Sequence, residues 1–178
     1  MSGFIKNTIR FALFLLVQVY ILNRIPQLHG FITPYLYYLF ILWLPFSISR
    51  IGLLFAAFAI GIAIDYFPPF TPGLHAAACV LIAYIRPFVI NILMPKDITE
   101  FNYREPSPKA MGWTPYAIYI LVLTLLHHGY LVFLEWLSFG SFLDFIIKVI
   151  GTTAISLLLI FTVEFLFPRQ LKYRTNVQ

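Results

Sequence analysis

Apolar runs separated by proline-marked breaks divide this chain into six stretches, about 5–22, 33–46, 50–67, 72–94, 115–137 and 142–167. Most approach the roughly 20 residues with which an α-helix crosses a bilayer. Pro26, Pro45, Pro68, Pro69, Pro95, Pro106, Pro108 and Pro168 fall at or beyond the ends of these runs. There a missing backbone N–H costs little, because the helix stops anyway. Three Thr-Pro pairs, Thr33-Pro34, Thr71-Pro72 and Thr114-Pro115, open apolar runs. Threonine can cap the first free N–H groups, and proline is preset to helical φ at the next position. These pairs predict the starts of the second, fourth and fifth helices. GFITPYLYYL and GWTPYAIYIL share that chemistry, but the likeness ends with them and indicates common capping rather than duplication.

Composition turns this pattern into a fold class. Of 178 residues, 61% are hydrophobic and only 11% charged, too few polar groups to cover a soluble domain. The expectation is an all-α integral membrane protein, with about six transmembrane helices in one bundle spanning 1–178. The N-terminus, with Lys6 and Arg10 before an apolar core, resembles a signal peptide but lacks a small-x-small cleavage site. It reads as a retained first helix.

The formal net charge of +5 does not form a basic patch between aromatics, so it argues against nucleic acid. Instead Lys6, Arg10, Arg50, Lys96, Arg104, Lys109, Arg169, Lys172 and Arg174 fall on one side of the expected topology. Arg24 alone falls on the other, and Arg86 and Lys148 lie within helices. By the positive-inside rule both termini and the polar loop 95–114 are cytoplasmic. That loop is long and mixed in sign, and reads first as a solvated linker beside lipid headgroups.

Small residues direct the packing. Gly52, Ala56, Ala59 and Ala63 recur at helical spacing, with Ala57 and Gly61 on the adjacent ridge, which Asp65 extends. The fourth segment answers with Ala76, Ala77, Cys79 and Ala83, so the third and fourth helices should pack tightly. Cys79, the single cysteine, reads as a small packing residue. His75, Cys79, Ile82 and Arg86 share a face. At about 1.5 Å per residue, roughly 16 Å separates His75 from Arg86, too far for one small ligand.

An ionisable residue inside a membrane is expensive and suggests a partner. For Arg86 the candidates are Glu164 and carbonyls freed around Pro87. His127 and His128 are adjacent, so they face different neighbours, His128 sharing a face with Thr124 and Glu135. Zinc needs ligands at HExxH-like spacing or more His and Cys nearby, so no metal is expected. Histidines bonded across helices are the plain reading, with a proton relay as the alternative. Ser141 and Asp144 have capping-box spacing, and Asp144 and Lys148 form an i, i+4 pair. No nucleophile elbow, P-loop or dinucleotide turn occurs, so no catalytic residue and no cofactor is expected.

GIAIDYF, a short proline-containing loop and TPGLHAAACVLIAYIRPF together resemble the middle of the rod shape-determining protein MreD family. The basic N-terminus, the six-span layout and LLHHGYLVFLEWLSF are also similar. The resemblance implies a non-enzymatic inner-membrane component of the bacterial cell-elongation machinery. Its expected partners are a single-pass MreC-like protein and, indirectly, an MreB-like cytoskeleton, RodA and a class B penicillin-binding protein. It also implies a layout similar to the substrate-binding subunits of energy-coupling-factor transporters. The family supplies no catalytic residues; Asp65, Gly73 and His75 transfer only as family-like positions. On the residues alone, Asp65 and His75, with Glu135, are expected to close the outer turn and shape a partner surface. A small-solute transporter, or its substrate-binding subunit, is the competing function, with Arg86, His127 and His128 as pathway groups.

Overall fold

The computed structural model describes residues 3–26, 32–68, 72–94, 105–137 and 141–167. Lys96, Arg104, Arg169, Lys172, Arg174, the Thr71 half of the second Thr-Pro pair and the first half of the loop 95–114 (95–104) lie outside them. Its helices, in chain order, are α1 (Gly3–Tyr20), α2 (Leu39–Leu42), α3 (Arg50–Asp65), α4 (Leu74–Leu93), α5 (Pro108–Met111), α6 (Trp113–Trp136) and α7 (Phe142–Leu166). The described residues form no strand, so the chain is all-α. Four helices are long and apolar enough to cross a membrane: α1 with its 3₁₀ extension to Arg24, α4, α6 and α7.

Two of the six expected spans take another form. α3 has 16 residues, which at roughly 1.5 Å each reach about 24 Å, short of a hydrocarbon core of about 30 Å. The segment 33–46 is helical only over the four residues of α2. Thr33-Pro34 opens no helix, whereas Thr114-Pro115 lies in the first turn of α6. Yet from Leu36 to Leu44 every residue of this irregular segment is buried, and Tyr37, Tyr38, Leu39, Ile41 and Leu42 have no exposure at all. An apolar run therefore became the centre of the bundle rather than one of its walls.

Irregular backbone at membrane depth persists only where protein satisfies its N–H and C=O groups. Local turns satisfy the N–H groups from Leu39 to Leu44, and polar side chains on the surrounding helices take up the two ends. From α1, Gln18 Oε1 accepts from Leu36 N–H at 2.8 Å while its Nε2 donates to Pro34 O at 3.1 Å. Ser156 Oγ, on α7, accepts from Tyr35 N–H at 3.1 Å. At the other end Tyr119 of α6 donates its hydroxyl to Leu42 O at 2.9 Å, and Arg86 of α4 donates to Leu44 O. Arg86 Nε also donates to Tyr119 Oη at 3.0 Å. These bonds fix the direction of the threaded segment. It runs from the level of Gln18 toward the end of the bundle where Trp43 meets Arg10, whose guanidinium carbon lies 5.5 Å from the indole centroid.

α3 and α4 form a close hairpin, as the small-residue spacing indicates. A Cβ on Gly61 would lie 2.4 Å from Ala76 Cα, so only glycine permits this approach. Ser49 caps α3 through its hydroxyl, which accepts from Gly52 N–H. Gly73 precedes α4 at φ 86°, a left-handed conformation that glycine adopts without strain. At the opposite end, Glu105 bridges Lys6 and Arg10 of α1 at 2.9 Å each, tying the first helix to the loop before α5. Ser141 Oγ accepts from Asp144 N–H and caps α7. Lys148 pairs with Glu135 of α6 at 2.5 Å, so its ion pair joins two helices rather than lying along one with Asp144.

Candidate functional site: a buried tyrosine–histidine cluster

Three helices and the threaded segment converge on a polar-aromatic cluster. The segment supplies Tyr35, Tyr37 and Tyr38; α4 supplies His75; α6 supplies Thr124, His127 and His128; α7 supplies Thr153. Tyr37 Oη lies 2.7 Å from His75 Nδ1 and 2.9 Å from His127 Nε2, so one hydroxyl joins two imidazoles on different helices. Tyr38 stacks on His127, with centroids 4.4 Å apart and planes inclined at 20°, and donates to Thr124 Oγ1 at 3.2 Å. His128 Nδ1 lies 3.2 Å from Thr153 Oγ1. Tyr35 packs edgewise on His75 and lies against His128.

The cluster is buried. Tyr37, Tyr38, His127 and His128 have no exposure, and His75 keeps 7%. Buried polar groups normally find hydrogen-bond partners. Here His127 Nδ1, His128 Nε2 and Thr152 Oγ1 are buried without one among the described residues. Each histidine of α6 thus has one nitrogen engaged and one unsatisfied.

Asp65 and His75 meet at the start of α4 through the backbone. The Asp65 carboxylate accepts from the backbone N–H of His75 at 2.9 Å and of Ala76 at 3.0 Å. It is a helix cap supplied from the preceding helix, and it leaves the His75 ring to Tyr37. A carboxylate on the first-turn amides also meets the positive end of the α4 dipole. Gly73 shapes that start through its positive φ.

The remaining positions fall into separate places. Arg86 binds Tyr119 and the Leu44 carbonyl, a third option beside Glu164 or the carbonyls around Pro87. Glu164 accepts from Tyr116 Oη at 3.0 Å, and Trp43 Nε1 donates to that same hydroxyl at 3.2 Å. Glu135, paired with Lys148, lies where its charge acts on Tyr35 and His75. The structure therefore gathers His75, His127 and His128 into one cluster, sets Asp65 and Glu135 at its edge, and leaves Arg86 and Glu164 outside it.

Sequence reasoning missed the tyrosines that organise this cluster. A signal was present: TPYLYYLF places three phenols inside an apolar run, and buried phenols need partners. Among the described residues no group of three His, Cys, Asp or Glu is arranged to hold a metal. The cluster's chemistry is that of hydrogen-bonded phenol and imidazole, able to share or pass protons. Comparison of the chain with protein-family models, curated proteins and solved structures finds no match to any of the three.

Proposed function

We propose that this chain is a non-enzymatic scaffold in a bacterial inner membrane, acting in cell elongation as its resemblance to the MreD family implies. In this reading it holds a single-pass MreC-like protein and, through it, an MreB-like cytoskeleton, RodA and a class B penicillin-binding protein. The observation that carries the reading is the threaded segment. A solute-binding bundle needs room between its helices, and here Tyr37, Tyr38 and α2 fill the centre and pack ring against ring.

The outward faces support the same reading. α1 buries only Phe14 and Gln18, and Ile51, Phe55, Phe58, Ile62 and Tyr66 form an exposed stripe along α3. Such faces suit lipid and the helices of other membrane proteins. Counting 33–46 and α3 as crossings gives six traversals, with both termini cytoplasmic and a layout like the energy-coupling-factor substrate-binding subunits. The Lys6–Glu105–Arg10 bridge fits this topology, since it joins the N-terminal helix to the loop assigned to the cytoplasm. Asp65, Gly73 and His75 then fix the outer turn, beside which the exposed Tyr66 offers an aromatic contact.

Mass spectrometry of what co-purifies with the tagged chain from mildly solubilised native membranes tests this. A single-pass, largely extracytoplasmic protein together with wall-synthesis enzymes is the expected result. An ATPase pair with a coupling membrane subunit, or saturable binding of a small solute by the purified chain, would replace the scaffold by the transporter.

A further inference from the structure

We propose that His75, Tyr37 and His127 form a proton-transfer wire, carrying a proton between the outer end of α4 and the centre of the bundle. The carrying observation is geometric: a single hydroxyl lies within hydrogen-bond distance of one nitrogen on each of two histidines. A phenol has one proton to donate, so toward one ring it donates and from the other it accepts. With both rings neutral, the chain of bonds has two arrangements related by reversing its direction. In one, Tyr37 donates to His75 Nδ1 and accepts from His127 Nε2–H. In the other, His75 Nδ1–H donates to Tyr37 and Tyr37 donates to His127 Nε2.

With both rings neutral the three groups carry three protons, and a fourth makes the wire conduct. With His75 an imidazolium, its Nδ1–H bond breaks as the proton passes to Tyr37 Oη. The hydroxyl's own O–H bond breaks as that proton passes to His127 Nε2. One O–H and one N–H bond form, no electron pair leaves its atom for a new oxidation state, and the positive charge moves from His75 to His127. Tyr37 ends as it began, a neutral phenol. The geometry needs no rearrangement of the rings, since both heavy-atom distances already lie in the hydrogen-bonding range.

The surroundings give the wire a direction. His75 alone of the three is not fully buried, and the acidic groups on its side of the cluster are Asp65 and Glu135. Asp65 comes from α3; Glu135 comes from α6 and is itself paired with Lys148 of α7. His127 faces only neutral or like-charged groups: Tyr37 and Tyr38 from the threaded segment, and His128 beside it on α6. Cys79, buried on α4, and Tyr35, which packs on both Tyr37 and His75, are further titratable groups near Tyr37. From α1 and α7 the neighbouring polar groups, Gln18, Thr153 and Ser156, carry no charge. A proton entering from the end of α4 therefore meets His75 first and passes inward to His127. Among the described residues His127 Nδ1 has no partner at the far end of the wire. The wire is independent of which partner the outer faces hold.

The test is ¹⁵N-histidine NMR of the full chain in lipid nanodiscs as pH is lowered, with ring signals assigned by single His→Gln variants. In the wild type the His75 and His127 signals are expected to move together, because the two share one macroscopic titration. Tyr37→Phe keeps the ring and removes the hydroxyl; His127 should then lose its response while His75 keeps its own. Independent movement in the wild type, or joint movement that survives Tyr37→Phe, would overturn the wire. If Tyr37→Phe fails to accumulate, His127→Gln gives the same reading through His75: a displaced His75 titration supports coupling, and an unmoved one removes it.

Discussion

The carboxylate of Asp65, the last residue of α3, accepts from the first-turn amides of both His75 and Ala76. Ten residues separate cap and helix, so the cap also fixes how α3 and α4 lie against each other. Asp65→Ala removes acceptors from two buried donors and is expected to cost about 1–2 kcal/mol, the upper part of the range for lost caps. Asp65→Asn keeps one acceptor and should cost less. His75→Ala leaves the cap intact and should instead release Tyr37. Thermal unfolding in detergent orders the three variants; equal losses for Asp65→Ala and Asp65→Asn would show that charge, not acceptor number, holds the turn.

Gly61 and Gly129 offer a matched pair. At Gly61 an added methyl meets Ala76 backbone at 2.4 Å, and backbone cannot swing aside as a side chain can. Gly61→Ala is therefore expected to cost about 1–3 kcal/mol as the hairpin is forced apart. Within α6, a Cβ on Gly129 meets nothing within 4 Å. Gly129→Ala should be neutral or stabilise by up to about 1 kcal/mol through helix propensity. Retention of the folded fraction during heating compares the two directly, and a Gly61→Ala protein as stable as Gly129→Ala would contradict the close approach.

The Glu105 bridge has a pH signature. Burial raises the pKa of this carboxyl, but the Lys6 hydrogen bond and the Arg10 charge outweigh it and hold the group below its ordinary value. A folded pKa below the unfolded one gives stability that is full above the unfolded value, about 4.3, and lost as pH falls through the folded value. Glu105→Gln should remove that acidic dependence, with a loss at neutral pH of up to about 1 kcal/mol, since Lys6 is partly exposed. Disulfide trapping of cysteines placed on α1 and in the loop before α5 reads the contact itself. Trapping that does not weaken with acid in the wild type would dissociate the bridge from Glu105 ionisation.

What could be read in the sequence is what local chemistry controls. Ser141 before Asp144, the Ala and Gly spacing of α3, and the shared burial of His75, Cys79, Ile82 and Arg86 follow from helical periodicity. The segment 33–46 was misleading because apolarity reports burial and not helix. Leu36 to Leu44 are as buried as any helix core, yet only local turns bond the middle of the segment, and its two ends are held by Gln18, Ser156, Tyr119 and Arg86 from distant positions. For the same reason the sequence places Asp65 and His75 at one turn without showing that the carboxylate accepts from the backbone amides of His75 and Ala76, which one sequence displays no differently from any others. The histidines of α6 were visible; the phenol joining one of them to His75 depended on where an irregular segment would lie.

Arg86 and Tyr119 act on the carbonyls at the end of α2 as one unit, and this makes their energetics separable by a double-mutant cycle. The guanidinium donates to Leu44 O and to Tyr119 Oη, and Tyr119 donates to Leu42 O. Arg86→Met keeps the apolar length but leaves a buried carbonyl without its charged donor, an expected cost of about 1.5–3 kcal/mol. Arg86→Lys should recover only part, because one ammonium cannot reproduce the planar fork that reaches both partners. Tyr119→Phe deprives Leu42 O and Arg86 Nε together and should cost about 1–3 kcal/mol. In the doubly substituted protein the losses are expected to fall short of their sum by at least about 0.5 kcal/mol, since the bond between the two residues is counted in each single variant. Strict additivity would mean that the two carbonyls are held independently. The intramembrane arginine would then stabilise the threaded segment through Leu44 alone.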